Sequence, residues 1–286
     1  MPIELWLCND THEVHEGARL AWRIRQGERI VEGGSAPTVI SPMESTFQGI
    51  AAFQAPQETG AVVVEAALID RNGRTIQSAQ QTFQVYPQVP AVPPLETVVI
   101  GQPSGKAERL ASALNLRVSK IDQLASAQLI LVDDLALYSK HEAEITASVR
   151  NGARCVFLGV QEGTHRLVGD EIEFFRCTSN PVHFVSRDTG HPLVEGLETN
   201  SVKFWFDEDI GYVSPLVHTT FRAEGWKSAY FSGSGGWATS WGPVHAVASK
   251  RDGEGCWIIC QLDLHNRIKT NPVAARAAER LITAPL

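Results

Sequence analysis

Four prolines within eight residues divide this chain. The segment Tyr86-Pro-Gln-Val-Pro-Ala-Val-Pro-Pro-Leu95 carries Pro87, Pro90, Pro93 and Pro94. Proline has no N–H to donate and a fixed φ, so the run cannot belong to a helix or a central strand. It favours extended polyproline II, a semi-stiff spacer. The hydrophobic patterning differs on its two sides. The reading is therefore two domains, residues 1–86 and 96–286, joined by a linker at 87–95. A chain of 286 residues is long enough for both.

Before the spacer the period is two. Leu20, Trp22 and Ile24 alternate with Ala21, Arg23 and Arg25; Val62, Val64, Ala66 and Leu68 form a second set, and Phe83 and Val85 a third. Turn signals fall between them at Gly33-Gly34, Ser41-Pro42 and Asp70-Arg-Asn-Gly73. About seven short strands in roughly 85 residues, with no helical stretch, predict an immunoglobulin-like β-sandwich. Trp22 suits its core.

After the spacer, strands and helices alternate. Thr97–Ile100, Gln128–Asp133, Arg154–Gly159 and Cys256–Leu262 read as buried strands. Helices are expected near Lys106–Leu114, over Ser139–Asn151 with Gly152 as C-cap, and from Asn271-Pro272 onward. This rhythm predicts a doubly wound, flavodoxin-like parallel sheet.

Composition narrows the partners. Net charge is −7 with no basic block, which argues against nucleic acid. No apolar run approaches the roughly 20 residues that span a bilayer, and no signal-peptide pattern opens the chain. A soluble protein of unspecified compartment is the expectation, with no membrane partner. The five cysteines are odd in number and contain no CxxC pair, so neither a disulfide framework nor a zinc site is expected. No metal or cofactor is read.

Ligands of doubly wound sheets sit at the carboxyl ends of the strands. The Gly101-Gln-Pro-Ser-Gly105 loop could cradle phosphate, but it is neither GxGxxG nor a P-loop, which favours a plain turn. The turn after the third strand, Leu158-Gly-Val-Gln-Glu-Gly163, offers Val160 and Gln161 where covalent acyl transfer would need a Cys or Ser. It reads as a degenerate nucleophile turn with no catalytic residue. Trp205, Trp226, Tyr230, Trp237 and Trp241, with His191 upstream, form an aromatic region suited to core or interface packing, or to stacking on sugars. Asp207, Glu208 and Asp209 read as a solvated acidic turn, less readily as a calcium site. A hydrolase using His191, His218 or His245 with carboxylates is a third reading, which no motif supports.

Leu5-Trp6-Leu7-Cys8-Asn9-Asp10, followed by Gly17-Ala-Arg-Leu-Ala-Trp22, resembles the β-sandwich that follows the catalytic barrel in glycoside hydrolase family 2 enzymes, the β-galactosidases, β-mannosidases and β-glucuronidases. The second part resembles a class I glutamine amidotransferase-like domain, similar to the trimerisation domain of family 42 β-galactosidases. His191-Pro-Leu-Val-Glu-Gly-Leu197 with Trp205, Gly253-Glu-Gly255 before Ile258–Leu262, and Asn271-Pro272 carry that likeness. In such domains the amidotransferase centre is commonly absent. The families' catalytic glutamates sit on a barrel of roughly 250 residues, for which this chain has no room. The resemblance thus implies a non-catalytic accessory region of a larger glycoside hydrolase. Its expected partners are the catalytic barrel of a parent polypeptide or another subunit, a homo-oligomer, or a polysaccharide bound by the Trp-rich loop. The immediate entry into a strand at Ile3 fits a join after such a barrel.

Overall fold

In the computed structural model the chain forms two compact units, residues 1–88 and 89–286. The structure describes residues 2–38, 40–87, 89, 91–176, 189–197, 202, 205–234 and 242–286.

The first unit is built from β1 (Pro2–Asn9), β2 (Ala18–Gln26), β3 (Arg29–Thr38), β4 (Glu44–Ala52), β5 (Gly60–Ile69) and β6 (Thr75–Val85). These are six strands, longer than the seven expected. One reason is Gly33-Gly34, which lies inside β3 instead of forming a turn. The Trp22 ring lies over Gly34, where a Cβ would come within 2.9 Å of it. Glycine is there for close approach. The reversal falls instead at Gly27, whose φ is +57°.

All pairing in this unit is antiparallel. β1 pairs β4, and β3-β2-β5-β6 form a second sheet. The two sheets meet through alternate side chains. Ile3 packs against Ile24, Phe53, Val62 and Val64, while Leu7 packs against Ala18, Ile40 and Leu68. Asn9 ends β1: its side chain accepts from Thr11 N at 3.0 Å and donates to the carbonyls of Glu13 and Ser41. The Asn-Asp turn is thereby fixed by local hydrogen bonds.

The second unit runs β7 (Glu96–Ile100), α1 (Lys106–Ala113), β8 (Arg117–Ser119), β9 (Leu129–Val132), α2 (Leu135–Arg150), β10 (Arg154–Leu158), β11 (Gly163–Leu167) and β12 (Asp170–Arg176). It continues with β13 (Phe206–Asp207), β14 (Tyr212–Val213), β15 (Thr219–Arg222), β16 (Lys227–Ser234), β17 (Gly242–Asp252), β18 (Gly255–Cys260) and α3 (Pro272–Thr283). Ten strands form one mixed sheet in the order β11-β12-β15-β17-β18-β10-β9-β7-β8, with β16 also on β17. The run β18-β10-β9-β7-β8 is parallel; the rest is antiparallel.

The expected doubly wound parallel sheet is thus met only in its parallel half. Three α-helices are present among the described residues. α2 covers one face through Tyr138, Ile145 and Val149 against Ile130, Phe157 and Trp257. Tyr138 meets Phe157 edge-on at 4.9 Å, and Trp257 stacks on the same ring at 6.0 Å. Arg154, which alternates with Cys155 along β10, points the other way and donates to the carbonyls of Leu281 and Ala284 at the end of α3. α3 therefore lies on the opposite face, with a cation at its negative end. α2 begins four residues earlier than expected, because Asp134 accepts from Leu137 N at 2.9 Å and caps it.

Gly253 and Gly255 turn β17 into β18 against the end of α2. Gly253 has φ +63°, and a Cβ on Gly255 would overlap the carbonyl oxygens of Val149 and Ala153. Gly255→Ala is expected to lower unfolding stability by about 3 kcal/mol, since backbone cannot yield as a side chain can. Urea denaturation of the variant checks this.

Candidate functional site

Four connections leave the carboxyl ends of β7, β9, β10 and β18 at one edge of the parallel strands, where ligands of such sheets bind. A cleft of about 270 Å³ opens there among Gln102, Asp134, Leu135, Gly159, Gln161 and His165.

The Gly101–Gly105 loop leads into the N-terminus of α1, which favours an anion. The protein supplies its own. Asp133 Oδ2 accepts from Ala107 N at 2.9 Å, and Glu108 accepts from Ser104 N. A Cβ on Gly101 or Gly105 would overlap the Asp133 carboxylate, so the glycines make room for Asp133.

After β10 the chain reverses at Gly159, φ +60°. Val160 is buried and Gln161 exposed, and neither adopts positive φ. The Val160 backbone is clamped by Gln261. Val160 N donates to Gln261 Oε1 at 2.8 Å, and Gln261 Nε2 donates to Val160 O at 2.8 Å and to Thr219 Oγ1 at 2.6 Å. Thr219 in turn donates to Val160 O at 2.8 Å.

A charged cluster that the sequence did not reveal lies alongside. Lys106 Nζ reaches Asp263 Oδ1 at 2.5 Å, passing over Gly159, and His218 Nε2 lies 3.2 Å from Asp263 Oδ2. Burial opposes ionisation of Asp263. The His218 hydrogen bond and the Lys106 charge outweigh it and hold the carboxyl well below the usual range. Burial lowers the His265 pKa to about 4, with the Arg109 and Lys106 charges acting in the same direction and Asp263 against it. Arg109 grips both oxygens of Asp209, at 2.8 and 2.6 Å. The available signal was a polar residue at the end of a buried parallel strand: Gln261 directly follows β18, and Asp263 lies two residues further on.

The acidic triplet diverges to three partners. Asp207 pairs with fully buried Arg267 at 3.2 Å and accepts from Ser214 at 2.8 Å; Glu208 accepts from Thr270 N at 3.0 Å; Asp209 holds Arg109. Among the described residues no three His, Cys, Asp or Glu side chains converge as a metal site.

Of the aromatic region, Trp205, Trp226 and Tyr230 are buried within the second unit, so they present no open ring face. Trp237 and Trp241 lie outside the described residues. His191 is buried too, with Ser249 Oγ 2.9 Å from its Nε2. The pair resembles a nucleophile and its base, but the tautomer forbids it. Leu193 N donates to Nδ1 at 3.1 Å, so the proton sits on Nε2 and is donated to Ser249. His245 contacts Phe221 and Phe231 instead. The three histidines of the hydrolase reading therefore have three separate sets of partners.

No protein-family model matches the chain, and no curated protein matches it. Among solved structures it is similar to an exo-β-1,4-mannosidase from Opitutaceae bacterium strain TAV5, at 12% identity over 68% of this chain and 36% of that one, TM-score 0.40. A β-galactosidase from Rahnella sp. R3 aligns at 13% identity over 65% and 31%, TM-score 0.39. A cytoplasmic protein from Salmonella typhimurium LT2 aligns at 10% identity over 80% and 97%, TM-score 0.40. The chain spans about a third of the length of the two enzymes. No helix among the described residues is long and apolar enough to cross a membrane.

Two outcomes follow from this geometry. Gln261→Leu leaves the Val160 amide unpaired in a buried place and is expected to cost about 2 kcal/mol of unfolding stability, read by urea denaturation. Burial lowers the His191 pKa to about 4, with the Lys227 charge adding to it. The unfolded chain, with an ordinary value near 6.5, then binds the extra proton. The stability from neutral His191 is present above about pH 6.5 and is lost as pH falls toward 4, on the order of 3 kcal/mol. Thermal melts between pH 7 and 4 should show that slope, and His191→Gln should reduce it, leaving the share that half-buried His265 contributes over the same range.

Proposed function

We propose that this chain is a non-catalytic accessory region of a larger glycoside hydrolase. It pairs an immunoglobulin-like sandwich with a degenerate amidotransferase-like domain. One observation carries the non-catalytic reading: the turn after β10, where an acyl-transfer nucleophile would stand, holds Val160 and Gln161, and its backbone is clamped by Gln261. Of the neighbouring charges, Asp263 is engaged by Lys106 and His218, and one oxygen of Asp133 by the N-terminus of α1. The amidotransferase-like part of the reading draws on the parallel strands, which taken in chain order lie as 2-1-3-4-5, the flavodoxin arrangement. The glycosidase part draws on the resemblance carried by Leu5–Asp10 and Gly17–Trp22.

In this reading the chain packs on a catalytic barrel of its parent polypeptide or on another subunit, and a homo-oligomer is an alternative mode of assembly. Glycan binding by the Trp-rich loop is the weaker reading, because Trp205, Trp226 and Tyr230 are buried. The purified chain is expected to leave nitrophenyl β-galactoside, β-mannoside and β-glucuronide intact. Release of nitrophenol above the buffer rate by homogeneous protein would refute the non-catalytic role.

A further inference from the structure

The outer face of the two-stranded sheet in the first unit carries two exposed aromatic rings side by side. Trp6 is 54% exposed and Phe47 51%, with ring centroids 5.4 Å apart and planes at 58°. Strand alternation explains Trp6: Ile3, Leu5 and Leu7 face inward while Glu4, Trp6 and Cys8 face out. It does not explain Phe47. Ala51 is buried and Ile50 exposed, so an unbroken β4 would alternate to place residue 47 inward.

A bulge changes that. Leu5 pairs with Gly49 but Trp6 pairs with Phe47, leaving Gln48 as the extra residue. One added residue moves every following side chain to the other face. The bulge is fixed in place. Gly49 adopts φ +135°, Gln48 Oε1 accepts from Thr38 Oγ1, and Gln48 Nε2 lies 2.6 Å from Thr46 Oγ1. The indole is oriented as well, since Trp6 Nε1 donates to Glu4 Oε2 at 2.9 Å. The fold thus turns a phenylalanine out of the core to stand beside an oriented tryptophan.

We infer that Trp6 and Phe47 form a platform for the pyranose rings of a glycan chain, with the Glu4 carboxylate beside it to accept from sugar hydroxyls. The apolar part of the face is small. The exposed parts of the two rings and of Ile50, 57% exposed, amount to roughly 300 Å². A stable dimer or protein complex covers about 800 Å² from each partner, polar rim included, so a protein here would have to cover the surrounding polar surface as well, and sedimentation detects that outcome. The patch matches one or two sugar rings, and two preset aromatic faces beside a carboxylate suit a ligand whose own faces are apolar and whose rim is hydroxylated.

The test uses the full chain in affinity electrophoresis and isothermal titration against mannan, galactan and xylan. Retention by at least one is expected, and Trp6→Ala and Phe47→Ala should each weaken it at least tenfold. The circular dichroism spectrum should keep its strand signature and melting should fall by only a few degrees, because each ring is about half exposed and what is lost is one cross-strand aromatic pair. The inference is overturned if none of the three glycans is bound, if binding survives both substitutions, or if sedimentation finds a dimer that Trp6→Ala converts to monomer. Glycosidase activity in the same preparation would count against the accessory role and leave this platform standing, since its readout is retention.

Discussion

The clamp of Gln261 on Val160 is the constraint around which the second unit is closed. β10 and β18 are neighbouring parallel strands, and parallel pairing ends with their last residues. The backbone of the following turn then needs partners away from water, and a buried amide without one is costly. A primary amide is suited to this because it donates and accepts at once, so one side chain satisfies both polar groups of Val160. The same logic repeats along that edge. Asp133 answers the N-terminus of α1, and Asp263 answers Lys106 and His218. Along this edge side chains of the protein meet most of the polar groups, while the second oxygen of Asp133 stays buried beside the cleft without a partner among the described residues.

The broad division of the chain was legible because proline's geometry is unconditional: nothing in the surroundings can restore a missing N–H. The parallel core was legible for a related reason. Strands such as Leu129–Val132 are buried on both faces, and their apolar runs leave no ambiguity. The antiparallel half was not. Its strands, β15 to β17 among them, carry aromatic residues and glycines that read equally well as a loop lined with rings. Burial of Trp226 depends on partners brought from elsewhere in the sheet.

At the candidate site the same contrast holds. Val160 and Gln161 stood out because they lie in a turn whose position relative to a strand is local information. Lys106 and Asp263 are 157 residues apart, and only the order of strands brings them together. Gly33-Gly34 misled as a turn because the reason for Gly34 is a ring on the neighbouring strand. The bulge at Gln48 left no mark in composition at all, yet it decides which way Phe47 faces.

The position of β18 in the sheet has a consequence for synthesis. β10 is buried on both faces, and one of its two edges is covered only by a strand about a hundred residues downstream. On a ribosome adding roughly 5–20 residues per second, that edge waits about 5 to 20 s for its mate. During the interval Cys155 to Leu158 offer bare backbone and apolar side chains to any passing strand. The hazard in making this protein lies less in its finished surface than in the order in which its sheet can be assembled.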